Sequence, residues 1–100
     1  MPADPVQVDS GHYRVLLEND VVRVLKISYG PREKSVMHWH PAHIAVGITD
    51  GHVRMSFPDG TTQDLTLGAG EVIEAPAGEH LPENLSEEPM EVVAIELKGR

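Results

Sequence analysis

His38-Trp39-His40-Pro41-Ala42-His43 is the stretch on which the reading of this chain turns. Residues two apart on a β-strand project to one face, about 6.6–7 Å apart along it, so an extended His38-Trp39-His40 aims two imidazoles one way and the indole the other. Two imidazoles so placed can close on a single ion at the ~2.1 Å of a metal–nitrogen bond. Pro41 has no N–H to give to a ladder and ends the strand directly after the second histidine. A third ligand must come from elsewhere in the fold. His80 stands 40 residues beyond His40, just after Pro76-Ala77-Gly78, and a closed antiparallel barrel returns the chain beside its earlier strands over such a distance. A lone His-x-His pair decorates an exposed strand as readily as it binds metal, so its surroundings decide its meaning.

Around this stretch the chain is rich in β-branched residues and often broken. Of its 25 Val, Ile and Leu residues 12 are Val, and 9 Gly with 8 Pro are spread along the whole length. Branched Cβ atoms suit a pleated strand better than a helix, and short apolar runs between turn residues mark a sandwich or barrel. Strands are predicted over residues 13–17, 21–29, 35–40, 43–49, 52–57, 61–67, 72–75 and 91–98, with 81–85 as strand or loop. Asp50-Gly51 is a type I′ hairpin signal. Val53, Met55 and Phe57 alternate onto one face, as do Val93, Ile95 and Leu97. The sum is an all-β fold of about nine short strands with no helix. A length of 100 residues supports one domain. Residues 11–100 make the barrel, and residues 1–10, with two prolines and few apolar side chains, a flexible N-terminal arm or an edge strand lent to a partner.

Composition narrows the chemistry. The absence of cysteine excludes disulfides, thiolate zinc, iron–sulfur clusters and a cysteine nucleophile, so any metal is held by nitrogen and oxygen. Sixteen acidic against eight basic residues give a net charge of -8, which repels a phosphate backbone and an anionic membrane surface; neither nucleic acid nor membrane is an expected partner. Met1-Pro2-Ala3-Asp4-Pro5 lacks the basic-then-apolar pattern of a signal peptide, and no apolar run approaches the ~20 residues of a membrane span, so a cytoplasmic location is expected.

Gly30, His38, His40 and Gly51, then Gly70, Pro76, Gly78, His80 and Asn84, follow one another in the order of two sequence motifs, and in these residues the chain resembles the cupin family. The resemblance spans more than half the chain. It departs in a longer gap after Gly30, in one residue rather than two between Gly78 and His80, and in the glutamate of the first motif, whose place falls on Ile44. The resemblance implies a small double-stranded β-helix, the jelly-roll or cupin barrel. It also implies His38, His40 and His80 as ligands of a divalent transition metal: iron, nickel, copper or zinc by ligand type. His43, beside Ile44, is a candidate fourth ligand, although alternation along a strand turns His43 outward if Ile44 points inward.

A three-imidazole site with open positions suits a metal-dependent oxidoreductase of dioxygenase type acting on a small molecule. Two alternatives stand beside it: a non-catalytic barrel that binds a small ligand or metal, and a metal-free isomerase using one His and one carboxylate. The family commonly pairs barrels, which implies a homodimer. Glu79 and Glu83, flanking His80, are expected to be solvated carboxylates, and His12 and His52 exposed. Met37, Met55, Met90 and Phe57 are expected to fill the core or line the barrel, and Asn84 to pin the loop after His80.

Overall fold

In the computed structural model, which describes residues 3–98, nine strands follow a single turn of helix. The helix is α1 (Pro5–Val8), and the strands are β1 (Tyr13–Glu18), β2 (Val22–Tyr29), β3 (His38–His40), β4 (His43–Gly47), β5 (Gly51–Ser56), β6 (Thr62–Leu67), β7 (Val72–Ala75), β8 (Gly78–Asn84) and β9 (Met90–Leu97). Every pairing is antiparallel. One sheet has the order β1-β2-β9-β4-β7 and the other β3-β8-β5-β6. Their inner faces enclose a core of Tyr13, Leu25, Tyr29, Val53, Met90 and Ala94 and a cavity of about 530 Å³. This is the jelly-roll arrangement expected from the sequence. Among the described residues no helix is long and apolar enough to cross a membrane.

Three local differences from the sequence reading have physical causes. First, α1 is a helix where none is predicted, because a four-residue turn is too short to show a 3.6-residue period. Asp4 caps it by accepting the Val6 N–H at 2.9 Å, and Pro5 opens it with a φ already suited to a helix. The turn is tied to the barrel by Trp39 N–H donating to the Ala3 carbonyl at 2.8 Å.

Second, β9 turns outward the face on which the alternation grouped Val93, Ile95 and Leu97, a direction the sequence reading left open. Met90, Ala94 and Glu96 are buried, while Val93 and Ile95 are half-buried on the outer face and Leu97 is exposed. Both faces of this strand carry apolar side chains, so the pattern alone does not fix which face points inward. Pairing does: Leu25 and Ala45 lie opposite Ala94, and Arg23 and His43 opposite Glu96.

Third, Gly51 has no positive φ, unlike Gly60 and Gly70, so the I′ turn is not formed there. Space explains the glycine instead, since a Cβ at residue 51 would lie 2.5 Å from the sulfur of Met90.

Residues 81–84 of the strand-or-loop segment belong to β8, and Leu85 lies beyond its end. This strand pairs with β3 through Gly78, Glu79 and His80 and with β5 from Leu81 to Asn84. It changes partner directly after His80.

Candidate metal centre

Strand β3 supplies His38 and His40 on one face, as their spacing requires, and the ladder with β8 sets His80 directly opposite His38. Directly opposed residues have Cβ atoms about 4.5–5.5 Å apart, so a third imidazole joins the first two without any special loop. The ring centroids lie 4.8 Å apart for His38 and His40, 4.8 Å for His38 and His80, and 5.0 Å for His40 and His80. One ligand nitrogen from each falls within 4.8 Å of the others. Nε2 of His38 and Nε2 of His80 are 3.1 Å apart. Two ligands at right angles on one ion, each at ~2.1 Å, stand ~3.0 Å apart, so this pair matches the spacing a metal imposes.

The outer nitrogens fix the tautomers. Nδ1 of His38 donates to the Val36 carbonyl at 2.8 Å, with the Ser35 hydroxyl at 3.2 Å, and that hydroxyl in turn donates to Asp9 at 2.5 Å. Nδ1 of His40 donates to the Glu96 carboxylate at 2.6 Å. In both rings the N–H is directed away from the cluster and Nε2 keeps its lone pair, the arrangement that carbonyl and carboxylate partners give to metal-ligating histidines. Glu96 also accepts from Arg23 Nε at 2.9 Å, and Arg23 reaches Asp4 at 2.9 Å. His80 differs, forming no hydrogen bond through Nδ1 among the described residues.

Electrostatics keep two of the donors neutral. Burial, then repulsion from His40, pushes His38 down to about 4, and burial, then repulsion from His40, His38 and His43, pushes His80 down to about 3. Burial alone would raise Glu96, but the hydrogen bonds from His40 and Arg23 outweigh it and hold the carboxyl below its ordinary value. Near neutral pH His38 and His80 therefore offer unprotonated nitrogen, and with the Glu96 carboxylate behind His40 the donor set fits a borderline divalent ion.

The remaining sequence candidates fall out unevenly. His43 is buried and faces the cavity, and Ile44 is half-buried on the outer side, the reverse of the expected alternation. Pro41-Ala42 carries the chain from one sheet to the other, so the parity of β3 does not extend into β4. The His43 ring lies 4.8 Å from that of His40, and its Nδ1 donates to the Pro41 carbonyl at 2.9 Å. It stands beside the three-histidine cluster and is not part of it. The cavity-facing neighbour on β4 is Ala45, so β4 supplies no carboxylate.

Asn84 is fully buried and pins its loop as expected, donating to the carbonyls of Gly30 at 3.0 Å and Glu88 at 2.9 Å. His52 is exposed, but His12 is half-buried, bridging Asp9 at 2.8 Å and Glu33 at 3.0 Å. Glu79 is exposed and Glu83 half-buried, and neither bonds to His80 among the described residues. Met55, Phe57 and Met90 line the cavity.

Glu96, Arg23, Tyr13 and Tyr29 are the site residues that sequence reasoning missed. A signal for Glu96 was present: it is a lone charge within Val92-Val93-Ala94-Ile95-Glu96-Leu97, sharing parity with Ala94. The tyrosines carry no comparable mark.

A sequence profile described as "Cupin domain" matches residues 25–96. No functionally curated protein matches the chain. Among solved structures, a cupin domain from Bordetella pertussis Tohama I is similar with a TM-score of 0.81 at 27% identity, covering 87% of this chain and 92% of that one. A cupin-2 domain containing protein from Shewanella frigidimarina gives 0.58 at 25% identity over 86% and 79%. A double-stranded β-helix protein from Klebsiella pneumoniae, with 0.69 at 24% identity over 92% and 82%, shares the fold.

Proposed function

The chain belongs to the cupin family, and from that premise we propose that it holds one divalent transition metal through His38, His40 and His80 and binds a small molecule at the ion's open positions, acting as a dioxygenase-type oxidoreductase. The observation that carries this reading is the convergence of three imidazole nitrogens, with His40 and His80 on the wall of a largely apolar cavity. A bound ion would supply a Lewis acid with places for a chelating substrate and for dioxygen.

The cavity, about 530 Å³, is within the size range of small-molecule sites. Val53, Met55, Phe57, Leu65, Leu67 and Val92 are among its walls, and among the described residues no Lys or Arg lines it. The charged side chains on its lining are Glu74 and Glu79, both exposed. This favours a neutral, largely apolar molecule with two oxygen donors at one end and disfavours carboxylates and phosphates, which would meet like charge without a counter-ion.

Metal-free protein reloaded with ferrous, nickel, copper or zinc ion should bind one equivalent per chain, and His38→Ala should lose it. Unchanged metal content in His38→Ala would sink the assignment. Oxygen consumption with a panel of diketones and aromatic diols then tests the reaction.

A second reading has its own support. The His40–Glu96 contact at 2.6 Å pairs an imidazole with a carboxylate, as a metal-free isomerase would require. Activity that survives exhaustive chelation would favour that reading, and activity lost with the metal and restored by it would exclude it.

For assembly we propose a homodimer through the outer face of the larger sheet. There Ile44, Val46, Val93 and Ile95 are half-buried, and Leu17 and Val72 are exposed. Contiguous apolar surface of this kind marks an association site. Light scattering of the parent against Val46→Lys tests it, a monomeric variant being the expected result.

A further inference from the structure

The cavity wall beside the histidines carries a hydrogen-bond relay that metal binding would interrupt. The hydroxyls of Tyr13 and Tyr29 bond to each other, and that of Tyr13 lies 3.1 Å from Nε2 of His38. Both tyrosines are 2% exposed, both line the cavity, and they are the only two in the chain.

Two hydroxyls hold two hydrogens, and one is used within the pair. The Tyr29 hydroxyl otherwise has the Ser35 hydroxyl near it, whose own hydrogen goes to Asp9, whereas that of Tyr13 also faces a nitrogen. The arrangement of the two hydroxyls that gives Nε2 of His38 a hydrogen runs from Tyr29 to Tyr13 to His38. Nε2 of His38 can accept because the ring's hydrogen sits on Nδ1, donated to the Val36 carbonyl at 2.8 Å. That same lone pair is the one a metal would take. With it engaged, the Tyr13 hydrogen loses that acceptor while its oxygen stands beside the ion. The acceptor brought newly within its reach is whatever fills the open coordination positions.

We propose that the Tyr13 hydroxyl is the group that donates a hydrogen bond to the small molecule bound at the metal, with Tyr29 donating to Tyr13 from behind. This rests on the metal-binding reading above. It carries a signature that a purely structural role lacks: removing the hydroxyl weakens the small molecule's binding but not the metal's, because in the metal-free protein that hydroxyl competes for the ligand lone pair.

The probe is azide, titrated into cobalt-loaded parent and Tyr13→Phe and followed by visible absorption, with cobalt affinity measured separately by chelator competition. Loss of one neutral hydrogen bond should weaken azide about three- to tenfold, with cobalt bound as tightly as in the parent or more so. Azide binding equal to the parent's, or a parallel loss of cobalt affinity, overturns the proposal. If Tyr13→Phe does not fold, zinc-loaded parent grown with 3-fluorotyrosine gives two fluorine resonances, assigned with Tyr29→Phe. The Tyr13 signal should move with azide saturation, and a stationary signal overturns the proposal. If the parent takes up neither cobalt nor zinc, the metal-binding reading falls first, an outcome separate from a loaded protein whose azide affinity ignores Tyr13.

Discussion

Strands β3 and β8 bring the same side chain to the same point by different means. His38 and His40, on β3, are 0% and 2% exposed, and each has its Nδ1 held by a partner. His80, on β8, is half-buried, follows the exposed Pro76-Ala77-Gly78 turn, and has no Nδ1 partner among the described residues. Behind each β3 histidine stands an aspartate flanking the N-terminal turn: Asp9 through Ser35 for His38, and Asp4 through Arg23 and Glu96 for His40. The contrast teaches that such a site needs only part of its ligand set fixed in advance. Two imidazoles held at Nδ1 define the position, and the third is oriented only through its contacts with the other two.

The largest test of this contrast is Glu96→Gln, which keeps the side-chain volume but removes the charge beneath His40. Direct partners of metal-ligating histidines typically account for 10–100-fold in affinity, and a loss of about that size is expected in chelator competition. A change under about twofold would mean that β3 is no more fixed than β8.

The pH dependence comes next. His38 and His80 have folded values of about 4 and about 3, below the ordinary 6.5. Between those values and 6.5 the unfolded chain binds more protons, so stability is complete above about pH 6.5 and declines as pH falls toward 4. His12 works the opposite way: although burial opposes it, hydrogen bonds to Asp9 and Glu33 raise its value. Melting temperatures of metal-free protein from pH 8 to 5 should therefore fall, and His80→Gln should flatten the curve. An equally steep curve in that variant would show that the cluster does not control it.

The smallest effect is expected at the aspartates, each one partner or more removed from an imidazole. Asp9→Asn and Asp4→Asn should weaken metal binding about two- to fivefold, less than a direct partner does, while Asn at residue 4 still caps α1. Effects as large as that of Glu96→Gln would place the N-terminal turn on equal footing with β9.

Much of the barrel was legible because its strands are short, β-branched and separated by turn residues, which is local information. The β3 histidines were legible for the same reason, since a period of two is a property of three consecutive residues. The Pro76-Ala77-Gly78 turn and Asn84 marked out His80. What was not legible is instructive in the particular. His43 was turned outward on the condition that Ile44, at the place of the motif's glutamate, points inward, and in the fold Ile44 lies on the outer side. The inner face of β9 was left unassigned because both faces are apolar, and Glu96, on the face that turns inward, was overlooked.

By itself, then, the amino-acid order determined the strands, the turns and which histidines could share a face, because each follows from backbone preference and side-chain parity over a few residues. Only the tertiary structure decided that His80 pairs with His38, that Glu96 lies under His40, and that Tyr13 and Tyr29 stand beside the cluster. Those outcomes depend on ladder register and sheet order between distant segments, which no local pattern records.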